Sequence, residues 1–269
     1  MAIRRLAVIG GGRMGEAIVG GLMSRRADEA LAIVVADPSA ERREKLELEL
    51  KVSVTADGAE AVAGADAVLL AVKPQVIDSV VSALAPAMEP GALTISIAAG
   101  VTCARLEALL HEGTRVVRVM PNTPALVGMA MSVVSGGSDS TAENVADVAA
   151  LFGAIGDVAV VEERYQDACA AISGSGPAYV ALVVDALARA GVREGLTRDL
   201  AQRLALQTMR GTVELIARTG EHPEAIIDAV SSPGGTTIAA INELERAGVR
   251  SAFAAAVRAA VARSRELGM

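Results

Sequence analysis

The sequence predicts an α/β protein, a doubly wound sheet followed by an all-helical dimerisation domain, and three observations carry that prediction. Short apolar runs alternate with amphipathic or Ala-rich stretches from the start of the chain to about residue 162. A glycine motif, Gly10-x-Gly12-x-x-Gly15, stands where the first such run meets the first helical stretch. From about residue 163 the β-like runs stop and the pattern becomes helical throughout.

Taken in order, the strand candidates are "RRLAVI", "LAIVVAD", "ADAVLLAV", "ALTISIA" and "TRVVRVM", separated by helical stretches such as 14–26, 39–50, 76–88 and 102–110. Their apolar residues are continuous rather than alternating, which suits parallel strands buried on both faces. Strand and helix repeated this often imply a sheet wound in both directions. After "MPNTPALVG", two further runs, "AMSVVS" and "DVAVVE", are expected to finish the sheet.

In the second part, 176–190 ("GPAYVALVVDALARA") is apolar nearly all round, as expected of a helix with no solvent face. In 196–218, Leu196, Leu200 and Leu204 share one side, while Leu206, Met209, Val213 and Ile216 lie roughly opposite. A helix with two apolar sides needs two partners. We therefore expect a dinucleotide-binding domain over 1–162 and a helical domain over 163–269 that forms an intimate homodimer.

Bulk composition narrows the function classes. At 269 residues and 52% hydrophobic content the chain can bury a substantial core without staples. Cys103 and Cys169 form no CxxC or Cys/His cluster, so neither a disulfide framework nor a metal site is expected, and a reducing cytoplasm is the simplest location. The apolar run after Arg4 and Arg5 stops at glycines, too early for a signal peptide. No stretch reaches the roughly 18 apolar residues of a membrane helix. The net charge of −7 and 1% aromatic content offer no basic groove or stacking platform for nucleic acid. Residues 1–162 carry 13 basic against 20 acidic side chains, and 163–269 carry 12 of each, a balance suited to a buried oligomer core.

The glycine motif, placed at the first strand-to-helix turn of an αβ repeat, reads as a Rossmann-type dinucleotide fingerprint. The first glycine permits the tight turn, the second admits a pyrophosphate, and the third packs helix against strand; the helix start adds N–H donors and positive dipole. Gly10, Gly11, Gly12, Arg13, Met14 and Gly15 are thus cofactor candidates. Asp37 follows Gly15 by 22 residues, where a carboxylate would take the adenosine ribose hydroxyls of NAD and repel a 2′-phosphate. Ser39, Arg42 and Arg43 follow, where they could accept that phosphate instead, so NAD and NADP both remain open. Later strand ends carry "AVKPQ", "IAAG" and "MPNTP", and ligands in open α/β sheets lie along such ends. Lys73, one of three lysines in the chain, is expected at a ribose or phosphate; Asn122, held between prolines, either caps its loop or meets the nicotinamide carboxamide.

Ketone reduction usually employs a His, Tyr or Lys as proton donor. His111 and His222 sit in charged contexts that resemble helix ends, and Tyr165 and Tyr179 belong to no Tyr-x-x-x-Lys pair. A protonated cyclic imine needs less from an enzymic acid and more from positioning groups. "SSPGGTT" (231–237) supplies hydroxyls and the N–H groups of Gly234, Gly235, Thr236 and Thr237 at the head of a helix over 236–247, a place for a carboxylate. An ordinary capped helix start is the alternative.

Gly10-x-Gly12-x-x-Gly15, "AVKPQ", "MPNTP", "SGSGPAY" (173–179) and "SSPGGTT" occur in the order and approximate spacing of the pyrroline-5-carboxylate reductases, and the chain resembles that family throughout. The resemblance implies reduction of 1-pyrroline-5-carboxylate to proline with NADPH or NADH, the last step of proline biosynthesis. It places cofactor contacts at residues 10–15, around Asp37, at Ala71, Val72, Lys73 and Pro74, and at Ile97, Ala98 and Ala99. It places the substrate carboxylate on Ser232 and on Gly235, Thr236 and Thr237, with the Thr237 hydroxyl near the ring nitrogen and Glu163 beside the substrate. It also implies a Rossmann domain followed by a helical dimerisation domain, the dimers often assembling further. Asp37 departs from the family's usual small or amide residue and puts the NADP preference in question. Competing readings are another nicotinamide-dependent reductase of the same plan acting on a β-hydroxy acid or a different imine, of which those that oxidise hydroxy acids would want a lysine base in the helical domain where none follows Lys73, and a dinucleotide sensor, which would not need "SSPGGTT".

Overall fold

The computed structural model describes residues 3–25 and 31–268. In chain order its elements are β1 (Arg5–Ile9), α1 (Arg13–Arg25), β2 (Ala32–Ala36), α2 (Ala40–Leu50), β3 (Ser53–Thr55), α3 (Gly58–Val62), β4 (Ala67–Leu70), α4 (Ile77–Leu84), β5 (Leu93–Ser96), α5 (Cys103–Glu107), β6 (Val116–Met120), β7 (Ala130–Gly136), α6 (Ala142–Phe152), β8 (Gly156–Val160) and α7 (Gln166–Ser173). Then come α8 (Gly176–Arg193), α9 (Arg198–Thr219), α10 (Pro223–Ala229), α11 (Thr236–Arg246) and α12 (Val249–Gly268). By packing, these form two compact units, residues 1–175 with 260–269, and residues 176–259.

The first unit is built on one eight-stranded sheet in the order β3-β2-β1-β4-β5-β6-β7-β8. Its ladders are parallel except between β6 and β7, and β8 returns parallel to β7. All seven expected runs are strands; β3 is an eighth that the sequence reading missed, because three residues at the sheet edge carry no legible pattern. The continuous apolar runs have the cause inferred for them. Leu6 and Val8 face one layer with Ile18, Leu22 and Phe152, while Ala7 and Ile9 face the other with Ile77, Val81 and Leu106, so successive residues bury on opposite sides. Side-chain caps fix the helix starts. The Arg42 N–H donates to Ser39 Oγ, and Thr141 and Asn144 close a reciprocal capping box.

Strand order reverses direction at β1, which lies between β2 and β4. Gly10 leaves β1 with its N–H on Ala36 O, and Ala71 leaves β4 with its N–H on Ile9 O, each at 2.8 Å. The crevice for a ligand opens at this switch point.

In the second unit α8 and α9 pair through small residues: Ala188, Ala201 and Ala205 are buried against one another with Val184 beside them. The larger apolar side chains lie outside that seam. Val180, Leu182, Leu187, Leu200, Leu204, Leu206 and Val213 are all exposed in the single chain, so the apolar surround expected of 176–190 finds cover within its own unit only along the α9 seam. One exclusion is corrected here. By length and composition the helical run Glu163–Arg193 is apolar enough to cross a membrane; the glycines, serine and tyrosine that interrupt it hid this from a residue-by-residue reading.

Candidate active site

The three motif glycines are required for three different reasons. Gly10 has φ +107°, and a Cβ there would lie 2.7 Å from Ala71 O, so only glycine is tolerated. A Cβ on Gly15 would strike the Gly10 carbonyl. A Cβ on Gly12 would meet nothing within 4 Å. The described residues set no need for glycine at 12; the open space beside it suits a pyrophosphate approaching the backbone and the start of α1. Arg13 and Met14 form the first turn of that helix, Arg13 exposed and Met14 half-buried against the core.

A cleft of about 680 Å³ runs from this loop along the strand ends. It is walled by apolar side chains such as Ala36, Ala56, Val72 and Val80, with Asp37 and Lys73 as its charged members. That suits an adenosine: an apolar wall with one carboxylate, Asp37, to accept from ribose hydroxyls. The residues present thus fit a nicotinamide dinucleotide. Ala71, Val72, Lys73 and Pro74 carry the chain out of β4, with Lys73 exposed. Ile97, Ala98 and Ala99 follow β5; Ala98 is buried and donates its N–H to Ser96 Oγ.

The turn after β2 is fully occupied with holding the glycine loop. Asp37 Oδ2 accepts the Gly11 N–H at 2.8 Å, and its Oδ1 accepts the Ser39 N–H at 2.9 Å. The Gly11 carbonyl accepts from Arg42 Nε at 2.8 Å and also from Arg42 Nη2. Arg42 and Lys45 each pair with Glu16 at 2.7 Å, one on each carboxylate oxygen. Burial pushes the Glu16 carboxyl up, and hydrogen bonds and charge from Lys45 and Arg42 outweigh it, leaving Glu16 below its ordinary range. Its hydrogen bond raises Lys45. Arg43 turns Nη1 back onto the carbonyls of Asp37 and Pro38. Sequence reasoning weighed Arg42 and Arg43 but missed Glu16, whose role depends on helix packing that no local pattern shows.

Asn122 is 8% exposed and latches the loop after β6: its Oδ1 accepts the Met131 N–H and its Nδ2 donates to Ser173 O, both at 2.9 Å. Glu163 lies in the turn before α7. Its Oε1 accepts the Cys103 N–H at 2.8 Å and pairs with Arg118 Nη1 at 3.3 Å. Arg118, whose side chain is 6% exposed, also reaches Asp167 at 3.5 Å, and Asp167 accepts from Ser264 Oγ at 2.8 Å. A charged residue inside the apolar run "TRVVRVM" was the available signal for this cluster. Burial, with the Glu163 charge beside it, pushes the Cys103 thiol up to about 12. We expect Cys103 to resist iodoacetamide at pH 8 in the folded protein and to be alkylated after denaturation; peptide mass spectrometry that finds it modified in the native protein would contradict this placement.

In the second unit Gly234 has φ +67°, and the chain folds back so that the Gly235 N–H donates to Ser232 O at 3.0 Å. That corrects one expectation: the Gly235 N–H closes the turn and is not free for a ligand. A Cβ on Gly235 would collide with Ser232 Oγ. α11 then begins at Thr236 with Gly235 as its N-cap, and among the described residues no side chain caps it. The N–H groups of Thr236 and Thr237 therefore open α11 without a capping side chain. Ser232 and Thr236 are exposed and Thr237 is half-buried. The histidines hold structure: His222 Nδ1 accepts the Glu224 N–H at the head of α10, and His111 Nε2 lies 3.1 Å from Ala85 O.

Comparison with known proteins bears on this arrangement. A family model described as pyrroline-5-carboxylate reductase dimerisation matches residues 163–267, and one described as NADP oxidoreductase coenzyme F420-dependent matches residues 5–100. The chain is 47% identical to the pyrroline-5-carboxylate reductase of Synechocystis over 98% of both chains. It is 41% identical to that of Arabidopsis thaliana over 98% of this chain and 95% of the other. Among solved structures, a pyrroline-5-carboxylate reductase from Coxiella burnetii superposes with a TM-score of 0.93 at 34% identity over the whole of both chains. The Plasmodium falciparum pyrroline carboxylate reductase with NADP bound gives 0.88 at 30% identity, covering 100% of this chain and 99% of that one. The chain belongs to the pyrroline-5-carboxylate reductase family.

Proposed function

We propose that this protein reduces the C=N bond of 1-pyrroline-5-carboxylate to give L-proline, the last step of proline biosynthesis, with NADPH or NADH as reductant. The observation that carries the reading is identity of 47% along 98% of both chains to a protein of that name, on a chain whose Gly12 leaves room for a pyrophosphate. A bound reduced nicotinamide supplies the hydride. The chain's own residues supply grip and orientation. Gly10 to Gly15 hold the pyrophosphate, Asp37 and Ser39 border the adenosine ribose, and Ala71 to Pro74 with Ile97 to Ala99 line the remainder. Asn122, which latches the loop after β6, is the contact for the carboxamide. In the helical part, Ser232 and the N–H groups of Thr236 and Thr237 hold the substrate carboxylate in the positive field at the start of α11. Gly235 allows that turn, and the Thr237 hydroxyl orients the ring nitrogen. Glu163, by its position in the family pattern, acts beside the substrate.

The division of labour follows: residues 1–162 bind the dinucleotide, while 163–269 bind substrate and dimerise, although α7 and the end of α12 pack with the first compact unit. The exposed leucines and valines of α8 and α9 are the surface a second copy would cover, and the same surface accounts for the apolar run Glu163–Arg193 without a membrane. Dimers assemble further, in the cytoplasm, with no nucleic-acid partner.

Steady-state oxidation of NADPH and NADH with 1-pyrroline-5-carboxylate tests the reading, and no oxidation of either would refute it. Thr237→Ala is expected to lower kcat/KM by about 1–3 kcal/mol of transition-state stabilisation, the worth of one lost hydrogen bond, without changing the folded state. Unaltered kinetics would remove Thr237 from the reaction.

A further inference from the structure

We infer that Glu16 sets the cofactor preference of this chain, holding it to NADH by sequestering the cations that would otherwise receive a 2′-phosphate. The inference rests on reading the groove as a nicotinamide dinucleotide site. NADPH differs from NADH by one phosphate on the adenosine ribose, and that group is recognised by arginine or lysine N–H donors. Three cations flank the turn after β2, and all are engaged inside the protein. Arg42 holds the Gly11 carbonyl and Glu16, Lys45 holds the other oxygen of Glu16, and Arg43 holds two backbone carbonyls. Ser39 is likewise occupied, its N–H on Asp37 and its Oγ accepting the Arg42 N–H. None of these cations lines the cleft; Asp37 does. Lys73, the other charged residue of the wall, follows β4, on the opposite side of β1 from β2.

A carboxylate with lone pairs left on both oxygens suits two ribose hydroxyls and repels a phosphate dianion. Glu16 is the pivot because it binds both Arg42 and Lys45 from a different element, the first turn of α1. Without its charge, Arg42 keeps only the Gly11 carbonyl and Lys45 only Glu49, 3.7 Å away on its own helix, so both cations lose their anchor on α1 and can turn toward a phosphate on the ribose.

The test is the ratio of dissociation constants for NADH and NADPH, measured by titration calorimetry on the full-length protein. The unmodified chain is expected to bind NADH at least about tenfold more tightly, and Glu16→Gln to narrow that ratio about tenfold by gaining affinity for NADPH. Glu16→Ala should move the ratio in the same direction, which guards against a fault peculiar to one substitution. Adding Arg42→Ala and Lys45→Ala to Glu16→Gln should abolish the gain. Tighter binding of NADPH by the unmodified chain, a ratio unmoved by both Glu16 variants, or a gain that survives loss of both cations would each overturn the inference. Turnover of 1-pyrroline-5-carboxylate reports separately on the proposed reaction: its absence would sink that reaction and leave the binding ratio to decide this one.

Discussion

Arg118→Ala is expected to destabilise the folded protein by about 3 kcal/mol, far more than an exposed arginine would. The guanidinium sits in the middle of β6 with its side chain 6% exposed, between Glu163 at 3.3 Å and Asp167 at 3.5 Å, each 27% exposed. Truncation leaves two half-buried carboxylates without their shared cation. Each keeps one other donor, Cys103 N–H for Glu163 and Ser264 Oγ for Asp167, so the loss is of charge compensation, not of every hydrogen bond. Replacing both carboxylates with amides in the Arg118→Ala background should recover part of the loss, because the uncompensated charge is gone. Urea unfolding at fixed protein concentration measures it, with an unchanged m-value showing that the same structure is being lost. A loss under 1 kcal/mol would mean that solvent, not Arg118, stabilises this pair.

Substitutions at two glycines five residues or fewer from β1 should separate folding from binding. The Cβ that Gly12→Val introduces meets no atom of the described residues within 4 Å, so stability should change by no more than about 0.5 kcal/mol. The same side chain stands where the pyrophosphate approaches, and dinucleotide affinity should fall at least about a hundredfold. Gly10→Ala is the converse. It forces φ +107° on an L-residue and a Cβ to 2.7 Å from Ala71 O, a combined cost of about 3 kcal/mol in stability itself. Thermal melts with and without dinucleotide distinguish the two. If Gly12→Val binds normally, the cleft beside it is not the cofactor site.

What could be read from the sequence was what short-range physics writes into it. Parallel strands buried on both faces leave unbroken apolar runs, so seven of eight strands were legible, and β3 was not because three edge residues leave no run to see. The glycine motif was legible because backbone conformation constrains residue type directly. The network around Glu16 was not, since it joins α1 to α2 across 26 and 29 residues of chain. The same holds for Glu163, whose family position said nothing of Arg118 or Cys103. In the helical part, periodicity showed how apolar α8 and α9 are but not which residues face each other; alanines form the seam, and the leucines are left outside.

The clamp on Gly11 has a consequence for how the loop meets its ligand. Its N–H is held by Asp37 and its C=O by Arg42, so the loop is already rigid before any dinucleotide arrives, and little ordering entropy is lost on binding. Asp37, the residue proposed to discriminate at the ribose, is therefore also a strut of the glycine loop. Exchanging Asp37 to alter cofactor choice would loosen the grip on both cofactors at once, whereas Glu16, one step removed, leaves the Asp37 strut in place.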